Sequence, residues 1–107
     1  MSGENERTIQ FKRRLYGFVL RLIKYIKDLP YDRVTKILGD QLLRSGTSIL
    51  ANYIEASASS SRKDYTNFFH YSLKSANETR FWLSVLKDGK LLPAILENDN
   101  QFLLKET

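Results

Sequence analysis

Apolar residues recur along the chain at helical spacing, and three breaks divide this pattern into four segments. In the first segment an apolar side chain returns every three or four residues between Phe11 and Leu29, which is typical of a helix with one buried stripe. The breaks fall at Pro30, at the serine-rich stretch 57–61 and at Pro93. The pattern predicts an all-α protein with one domain over residues 1–107 and helices at about 8–29, 32–56, 62–88 and 93–104.

The second segment has a core side and a separate polar ridge. Leu42, Ile49, Tyr53 and Ala56 share one side of the predicted helix. The polar ridge follows at spacings of four, three, four and three residues and consists of Gln41, Ser45, Ser48, Asn52 and Glu55. Serine and glycine are poor helix formers, and Gly46 alone costs about 1 kcal/mol relative to alanine. We therefore expect another helix to approach this segment closely, with the polar ridge fixing its register through hydrogen bonds.

A second interpretation of these serines is that Ser45 or Ser48 acts as a nucleophile. Such a serine needs a general base, and the single histidine, His70, has no acid and serine at recognisable triad spacing. The sequence shows no histidine–carboxylate metal spacing, no glycine-rich phosphate loop and no acidic pair placed for proton transfer. We expect a protein that is not an enzyme and that has no catalytic residues, no metal and no cofactor.

The third and fourth segments carry their own start and stop signals. Ser61 to Asp64 fits the S-x-x-D form of a capping box, and Gly89 is expected to close helix three as a left-handed residue. The core stripe of helix three is predicted to contain Tyr65, Phe68, Phe69, Ser72, Ala76, Thr79, Leu83 and Leu86. Helix four begins with Pro93 at a permitted first-turn position. Its apolar residues are Leu92, Ile95, Leu96, Phe102 and Leu103.

Helix three has more apolar surface than its own core stripe requires. Four side chains lie outside that stripe, namely Tyr71, Phe81, Trp82 and Val85. Exposed apolar patches of this kind mark interfaces. These residues predict an interface with sister subunits or with a partner protein.

Charge is distributed unevenly along the chain. Residues 1–53 hold ten basic and five acidic residues, whereas residues 54–107 hold seven of each. Because the net charge of +5 lies in the first half, we expect an anionic partner such as RNA or DNA. The candidate phosphate-binding residues are Lys12, Arg13, Arg14, Arg21, Lys24 and Lys27. The alternative is that these residues form only the solvated side of a helix.

Aromatic residues near arginines raise the further alternative of a stacking platform for single-stranded nucleic acid. The residues concerned are Tyr16, Tyr25, Phe69 and Tyr71. Aromatic residues at helical spacing usually belong to a core, and we expect this of Phe69. The roles of the tyrosines stay open at this point.

Composition indicates the class of protein and the compartment. An apolar content of 42% with 12% aromatic residues argues against disorder. Since the chain has no cysteine, it has no disulfide, thiolate zinc site or thiol nucleophile, and a reducing compartment is compatible with that. The N-terminal stretch MSGENERTIQ has no apolar signal core, and no apolar run approaches the roughly 20 residues that span a bilayer. We expect a cytoplasmic protein without membrane contact.

Three stretches of the sequence resemble a known family. QLLRSGTSILANYIEA, SRKDYTNFF and NETRFWLSVLKDGKLLP are similar to segments of the S23 or IVP proteins, which are associated with intervening sequences in bacterial 23S ribosomal RNA genes. The resemblance covers roughly residues 15–93. The family is also similar to accessory proteins of diversity-generating retroelements, which work with a reverse transcriptase and RNA. The resemblance implies an antiparallel up-down four-helix bundle assembled into a ring-like homopentamer, and it implies no catalytic machinery.

Carried over from the family's motif, the polar positions form a seam between helices two and three, in which we expect Arg44 to pair with a carboxylate. These positions are Gln41, Arg44, Ser45, Thr47, Ser48, Asn52, Glu55 and Glu78. The sequence departs from the family pattern at Leu50, where glycine is expected, and at Ile54, where a polar or charged residue is expected. Both departures add apolar surface.

Two functions follow as hypotheses. The first is an oligomeric helical protein that binds RNA or DNA through the basic surface of helix one without reading the bases. The second is a protein-interaction scaffold that does not contact nucleic acid directly.

Overall fold

The computed structural model describes residues 5–107 as four α-helices joined by short turns. The helices are α1 (Glu6–Lys27), α2 (Arg33–Ala58), α3 (Arg62–Asp88) and α4 (Glu97–Glu106), with a 3₁₀ turn at Ala94–Leu96 before α4. No β-strand occurs within residues 5–107, so the all-α class predicted from the sequence is confirmed. The three long helices begin and end within two residues of the predicted limits.

A polar side chain caps the start of each long helix. Asn5, Asp32 and Ser61 each accept a hydrogen bond from the backbone N–H three residues further along, at 2.8, 2.9 and 3.1 Å. These bonds satisfy N–H groups that lack a partner in the first turn of a helix. At Asp32 the hydrogen bonds from the backbone and hydroxyl of Thr35 lower the pKa of the carboxyl. The helix start predicted at Ser61 is therefore present.

The left-handed residue that follows α3 lies one position later than predicted. Gly89 has a φ of −76° and belongs to the right-handed region, whereas Lys90 has a φ of 57°. The prediction that Gly89 is left-handed is wrong, because Gly89 keeps right-handed dihedrals after the last helical residue and the left-handed residue is Lys90. The Leu91 N–H then bonds the Leu86 carbonyl at 3.1 Å. Gly89 is favoured for space instead, since a Cβ there would lie 2.9 Å from the carbonyl oxygen of Val85.

Contacts between side chains fix the direction of the helices. Gly46 of α2 lies against Leu22 of α1. Gly39 comes before Gly46 in α2, and it lies against Leu29, which comes after Leu22 in the chain. The helices α1 and α2 are therefore antiparallel. The interface between α2 and α3 is the most extensive in the molecule. Helix α4 packs against both α1 and α3 and closes the fourth side of the core.

The core contains apolar side chains from all four helices. Its fully buried members include Leu22, Leu42, Leu83, Leu86 and Leu103. In the fourth segment the predicted single helix is instead a 3₁₀ turn followed by α4, and Ile95 is 83% exposed because the turn directs it away from the core. Over residues 5–107, no helix combines the length and apolar character that a membrane span requires.

Candidate functional site

The basic residues of α1 separate into two groups in the structure. Arg14 and Arg21 face α4 and pair with acids there. The Arg14 guanidinium donates to Glu106 at 2.7 Å, and the Arg21 guanidinium donates to Asp99 at 3.3 Å. Arg21 also lies 3.5 Å from the centroid of the Phe102 ring, a cation–π contact. These two arginines hold α4 against α1.

The second group faces away from α4. Arg13, Lys24 and Lys27 are exposed, and none of them pairs with an acid among residues 5–107. Their positions in α1 place them on one side of the helix. Fourteen residues separate Arg13 from Lys27, so the exposed charges extend over about 21 Å. This basic side of α1, made by Arg13, Lys24 and Lys27, is the candidate surface for phosphates.

A shallow, open groove borders this basic side, where α1 meets α2. It has a volume of about 300 Å³ and is lined by Lys12, Arg13, Tyr16, Leu50 and Ile54. Tyr16 is 58% exposed, while Leu50 is half-buried and packs against the core. Leu50 and Ile54 together form the α2 side of this groove.

The tyrosines left open by the sequence have different environments. Tyr25 is fully buried, and Phe69 is half-buried, with its ring stacked on Tyr65 at 5.9 Å. Tyr16 and Tyr71 are exposed. Only Tyr16 of these lies beside the basic side of α1.

Hydroxyl groups connect α2 with α3 in the interior. The oxygens of Ser45 and Thr79 are hydrogen-bonded at 2.9 Å, and both residues are fully buried. Ser72 of α3 donates to the backbone carbonyl of Ile49 at 2.8 Å. Small polar side chains at these positions let the two helices approach closely while every hydroxyl keeps a partner.

The remaining polar positions of the motif make other contacts. The hydroxyl of Ser48 donates to the carbonyl of Arg44 and the amide of Asn52 donates to the carbonyl of Ser48, both within α2. The hydroxyl of Thr47 is likewise bonded to a carbonyl of its own helix. Glu55 is exposed. Among the ridge residues Gln41, Ser45, Ser48, Asn52 and Glu55, it is Ser45 that forms a hydrogen bond with a side chain of α3.

Arg44 is the centre of a polar cluster on the surface of α2 and α3. Its guanidinium forms an ion pair with Glu78 and donates through Nε to Gln41 at 3.1 Å. The indole N–H of Trp82 donates to the same Glu78 carboxylate at 3.1 Å. The cluster thus joins three of the motif positions to one residue of the apolar patch on α3.

The apolar patch itself remains largely open to solvent. Tyr71 is 52% and Phe81 is 55% exposed, while Trp82 and Val85 are half-buried. The rings of Phe81 and Trp82 meet edge to face, with centroids 4.8 Å apart. We refer to Tyr71, Phe81, Trp82 and Val85 as the α3 patch.

One buried polar pair escaped the sequence reasoning. The amide nitrogen of Asn100 donates to the hydroxyl of Tyr25 at 2.8 Å and to the carbonyl of Leu83 at 3.1 Å. Burial raises the pKa of Tyr25 to about 12, although the hydrogen bond from Asn100 acts in the opposite direction. The sequence left the role of Tyr25 open, with stacking on nucleic acid as one alternative, and nothing in it marked Asn100.

A second cleft lies between α1, α2 and α3 where α4 ends. It has a volume of about 270 Å³ and its walls are mostly apolar, including Phe11, Phe18, Tyr53 and Phe69. Phe11 is 41% exposed here although the sequence placed it on the buried stripe, because α4 does not reach far enough to cover it.

The residues considered for catalysis or metal binding lie apart from one another in the structure. Within residues 5–107, no three histidine, cysteine or acidic side chains lie close enough together to hold a metal ion. His70 is exposed, and Ser45 and Ser48 bond backbone or hydroxyl groups. The structure brings the serines to helix contacts instead of to a base.

The chain was compared with models of known protein families. A family model described as 23S rRNA-intervening sequence protein matches residues 7–106. The chain belongs to this family. The match of this family member extends from the first turn of α1 to the end of α4, so it includes the basic side of α1, the groove and the α3 patch.

A solved structure supports the fold of this 23S rRNA-intervening sequence protein. The chain is similar to a crystal structure of a protein of unknown function from the S23 ribosomal protein family of Bacteroides thetaiotaomicron. The two share 32% sequence identity with a TM-score of 0.74, and the similarity covers 92% of this chain and 91% of the other. No curated protein matches the chain. The comparisons therefore give the family and the fold.

Proposed function

We propose that the protein is a non-enzymatic oligomeric helical protein that binds RNA or DNA through the basic side of α1, without reading the bases. The observation that supports this best is the row of exposed cations Arg13, Lys24 and Lys27, which have no acidic partner among the described residues. Contacts with phosphates require only exposed positive charges, and they do not depend on the base sequence. Because cellular RNA and DNA lie inside the cell, the proposal places the protein in the cytoplasm.

Oligomerisation strengthens this proposal. A single row of three cations gives modest affinity for nucleic acid. Repetition of the row around a ring of subunits increases both the positive electrostatic field and the number of phosphate contacts. We propose a homopentamer, in which the α3 patch contributes to the contact between subunits. Exposed aromatic side chains beside an arginine are the residue types that dominate such interfaces.

The basic side can be tested by the salt dependence of binding. Lys24→Gln with Lys27→Gln removes two exposed charges, and the slope of log affinity against log salt concentration should fall by roughly 1.5. Fluorescence anisotropy with a labelled RNA and a labelled DNA, from about 50 mM salt upwards, measures this. Arg62→Gln with Lys63→Gln is the matched control, because both residues are exposed at the N-terminal end of α3. Absence of any binding near 50 mM salt would rule the proposal out.

The α3 patch supports a second candidate function, a scaffold that holds a partner protein without touching nucleic acid. In that case a protein should co-purify after nuclease treatment and be lost in Trp82→Ala, whereas the subunit number should stay unchanged. Native mass spectrometry of the same samples reports both quantities. Loss of the oligomer in Trp82→Ala would assign the patch to contacts between copies of this chain instead.

A further inference from the structure

The groove between α1 and α2 joins an exposed aromatic ring with cations in one small space. It is lined by Tyr16, Leu50 and Ile54 together with the basic residues Lys12 and Arg13. The surface that these side chains present to the groove is almost entirely apolar. A flat apolar ligand that carries a negative charge matches this combination.

We propose that this groove binds an unpaired nucleotide, with its base stacked on the Tyr16 ring and its phosphate on Arg13. The inference rests on the proposed binding of nucleic acid, and it adds that the preferred form is single-stranded.

The type of nucleic acid follows from what each wall can contact. In a duplex the flat faces of the bases are covered by their neighbours, so a duplex can use the cations but not the ring. An unpaired base presents a free π face, and stacking on an aromatic side chain is the usual way that proteins bind single strands. The apolar wall of Leu50 and Ile54 would be contacted by the edge of that base and would have no partner in a duplex.

The helix geometry places the two kinds of contact at suitable positions. Arg13 and Tyr16 are three residues apart, so their Cβ atoms lie about 5–6 Å from each other on the same side of α1. Beyond them Lys24 and Lys27 continue along that side, which lets the strand follow the helix away from the groove. One base is therefore held by the ring while the neighbouring phosphates meet the basic side.

The test compares a single strand with a duplex of the same phosphate number. The first probe is an RNA of about 12 nucleotides without secondary structure. The second probe, for comparison, is a blunt-ended RNA duplex with the same total number of phosphates. Tyr16→Ala should weaken binding of the single strand by roughly 5- to 150-fold, the effect of losing one base–aromatic stack, and should change duplex binding less than twofold. Tyr16→Phe should keep the wild-type preference, because the ring is retained.

A matched control is available in the same region of the chain. Tyr31 follows α1 and is fully exposed, outside the groove, so Tyr31→Ala should leave both affinities unchanged. Since Tyr16 is itself largely exposed, its variants should fold, and circular dichroism checks their helix content.

The possible results separate this inference from the proposal it builds on. If Tyr16→Ala weakens single-strand and duplex binding equally, or if it weakens neither of them, the stacking site is overturned while binding through the basic side stands. If the wild type binds neither probe, both are overturned. If Tyr16→Ala changes the subunit number in native mass spectrometry and leaves the single-strand affinity per subunit unchanged, the groove is an interface between copies and the stacking site is overturned.

Discussion

The hydroxyl oxygens of Ser45 and Thr79 lie 2.9 Å apart across the α2–α3 interface, and neither residue is exposed to solvent. Two short side chains that meet at hydrogen-bond distance require the backbones of their helices to be close. Larger apolar residues at these positions would push the helices apart. The polar character of α2 at this point is therefore a consequence of packing.

Substitution of Ser45 tests this explanation. Ser45→Val adds volume where no space exists and should lower the free energy of unfolding by about 1–3 kcal/mol. Ser45→Ala should cost about 1 kcal/mol or less, because Thr79 keeps its second partner, the Ser75 carbonyl at 2.7 Å. Urea unfolding followed by circular dichroism measures both. Equal stability of the two variants would show that size is not what position 45 selects.

Two glycines should respond to alanine with opposite signs. A Cβ at Gly46 would lie 2.1 Å from Cδ2 of Leu22, which is fully buried, whereas a Cβ at Gly17 would meet nothing within 4 Å. Gly17→Ala should raise the free energy of unfolding by about 0.5–1 kcal/mol through helix propensity. In Gly46→Ala the same gain is outweighed by the shift of Leu22, and we expect a net loss of about 1–2 kcal/mol.

The denaturant midpoints of both variants provide the measurement. Leu22→Ala in combination with Gly46→Ala should cost less than the sum of the single changes, since the shorter side chain makes room for the new methyl group. A gain of stability in Gly46→Ala, similar to that in Gly17→Ala, would contradict the close contact between α1 and α2.

The sequence predicted the α2–α3 contact better than the role of each polar residue in it. Helical spacing places Ser45 and Ser48 on one ridge, but spacing does not tell which of them faces α3 directly. A serine or asparagine in a helix can bond the carbonyl one turn back, and this local partner satisfies Ser48 and Asn52. Ser45 is deep enough to meet Thr79 as well. The distinction depends on rotation of the helix by a few tens of degrees, which the periodic pattern does not resolve.

The basic residues show a similar limit of the sequence. Arg14 and Arg21 lie on the polar side of helix one by periodicity, yet their partners Glu106 and Asp99 are in the last helix. Only the position of α4 decides which cations are covered. Because α4 is short and its start is a 3₁₀ turn, its contacts could not be obtained from the pattern of its own apolar residues.

Removal of the Arg21 charge should therefore loosen α4 more than it weakens nucleic-acid binding. Arg21→Gln loses the pair with Asp99 and the contact with Phe102, which together are worth about 1–2 kcal/mol at a partly exposed site. Hydrogen exchange measured by mass spectrometry should become faster in residues 97–106. Lys27→Gln is the matched control, because it makes the same charge change at a residue that has no ion pair with α4, and it should leave exchange unchanged. Unchanged exchange in Arg21→Gln would show that the arginine does not hold α4.

The buried Tyr25 predicts how stability depends on alkaline pH. An unfolded tyrosine has a pKa near 10, whereas burial raises the pKa of Tyr25 to about 12 in the folded protein. Between these values the unfolded chain has released the proton that the folded chain still holds. The free energy of unfolding should therefore fall as the pH rises from about 10 to 12, by up to about 1.4 kcal/mol per pH unit. Below pH 10 the contribution of Tyr25 is fully present.

Tyr25→Phe isolates this contribution, because the variant differs from the wild type only by that hydroxyl group. Near pH 8 the variant should be less stable by about 1 kcal/mol, because the amide of Asn100 loses the Tyr25 hydroxyl as an acceptor. Above pH 10 the stability of the variant should fall less steeply than that of the wild type, so the two curves should approach each other and cross before about pH 12. Urea unfolding at half-unit pH steps measures the difference. Parallel curves over this range would mean that the Tyr25 hydroxyl reaches water in the folded protein, and that α4 does not seal the core beside Asn100.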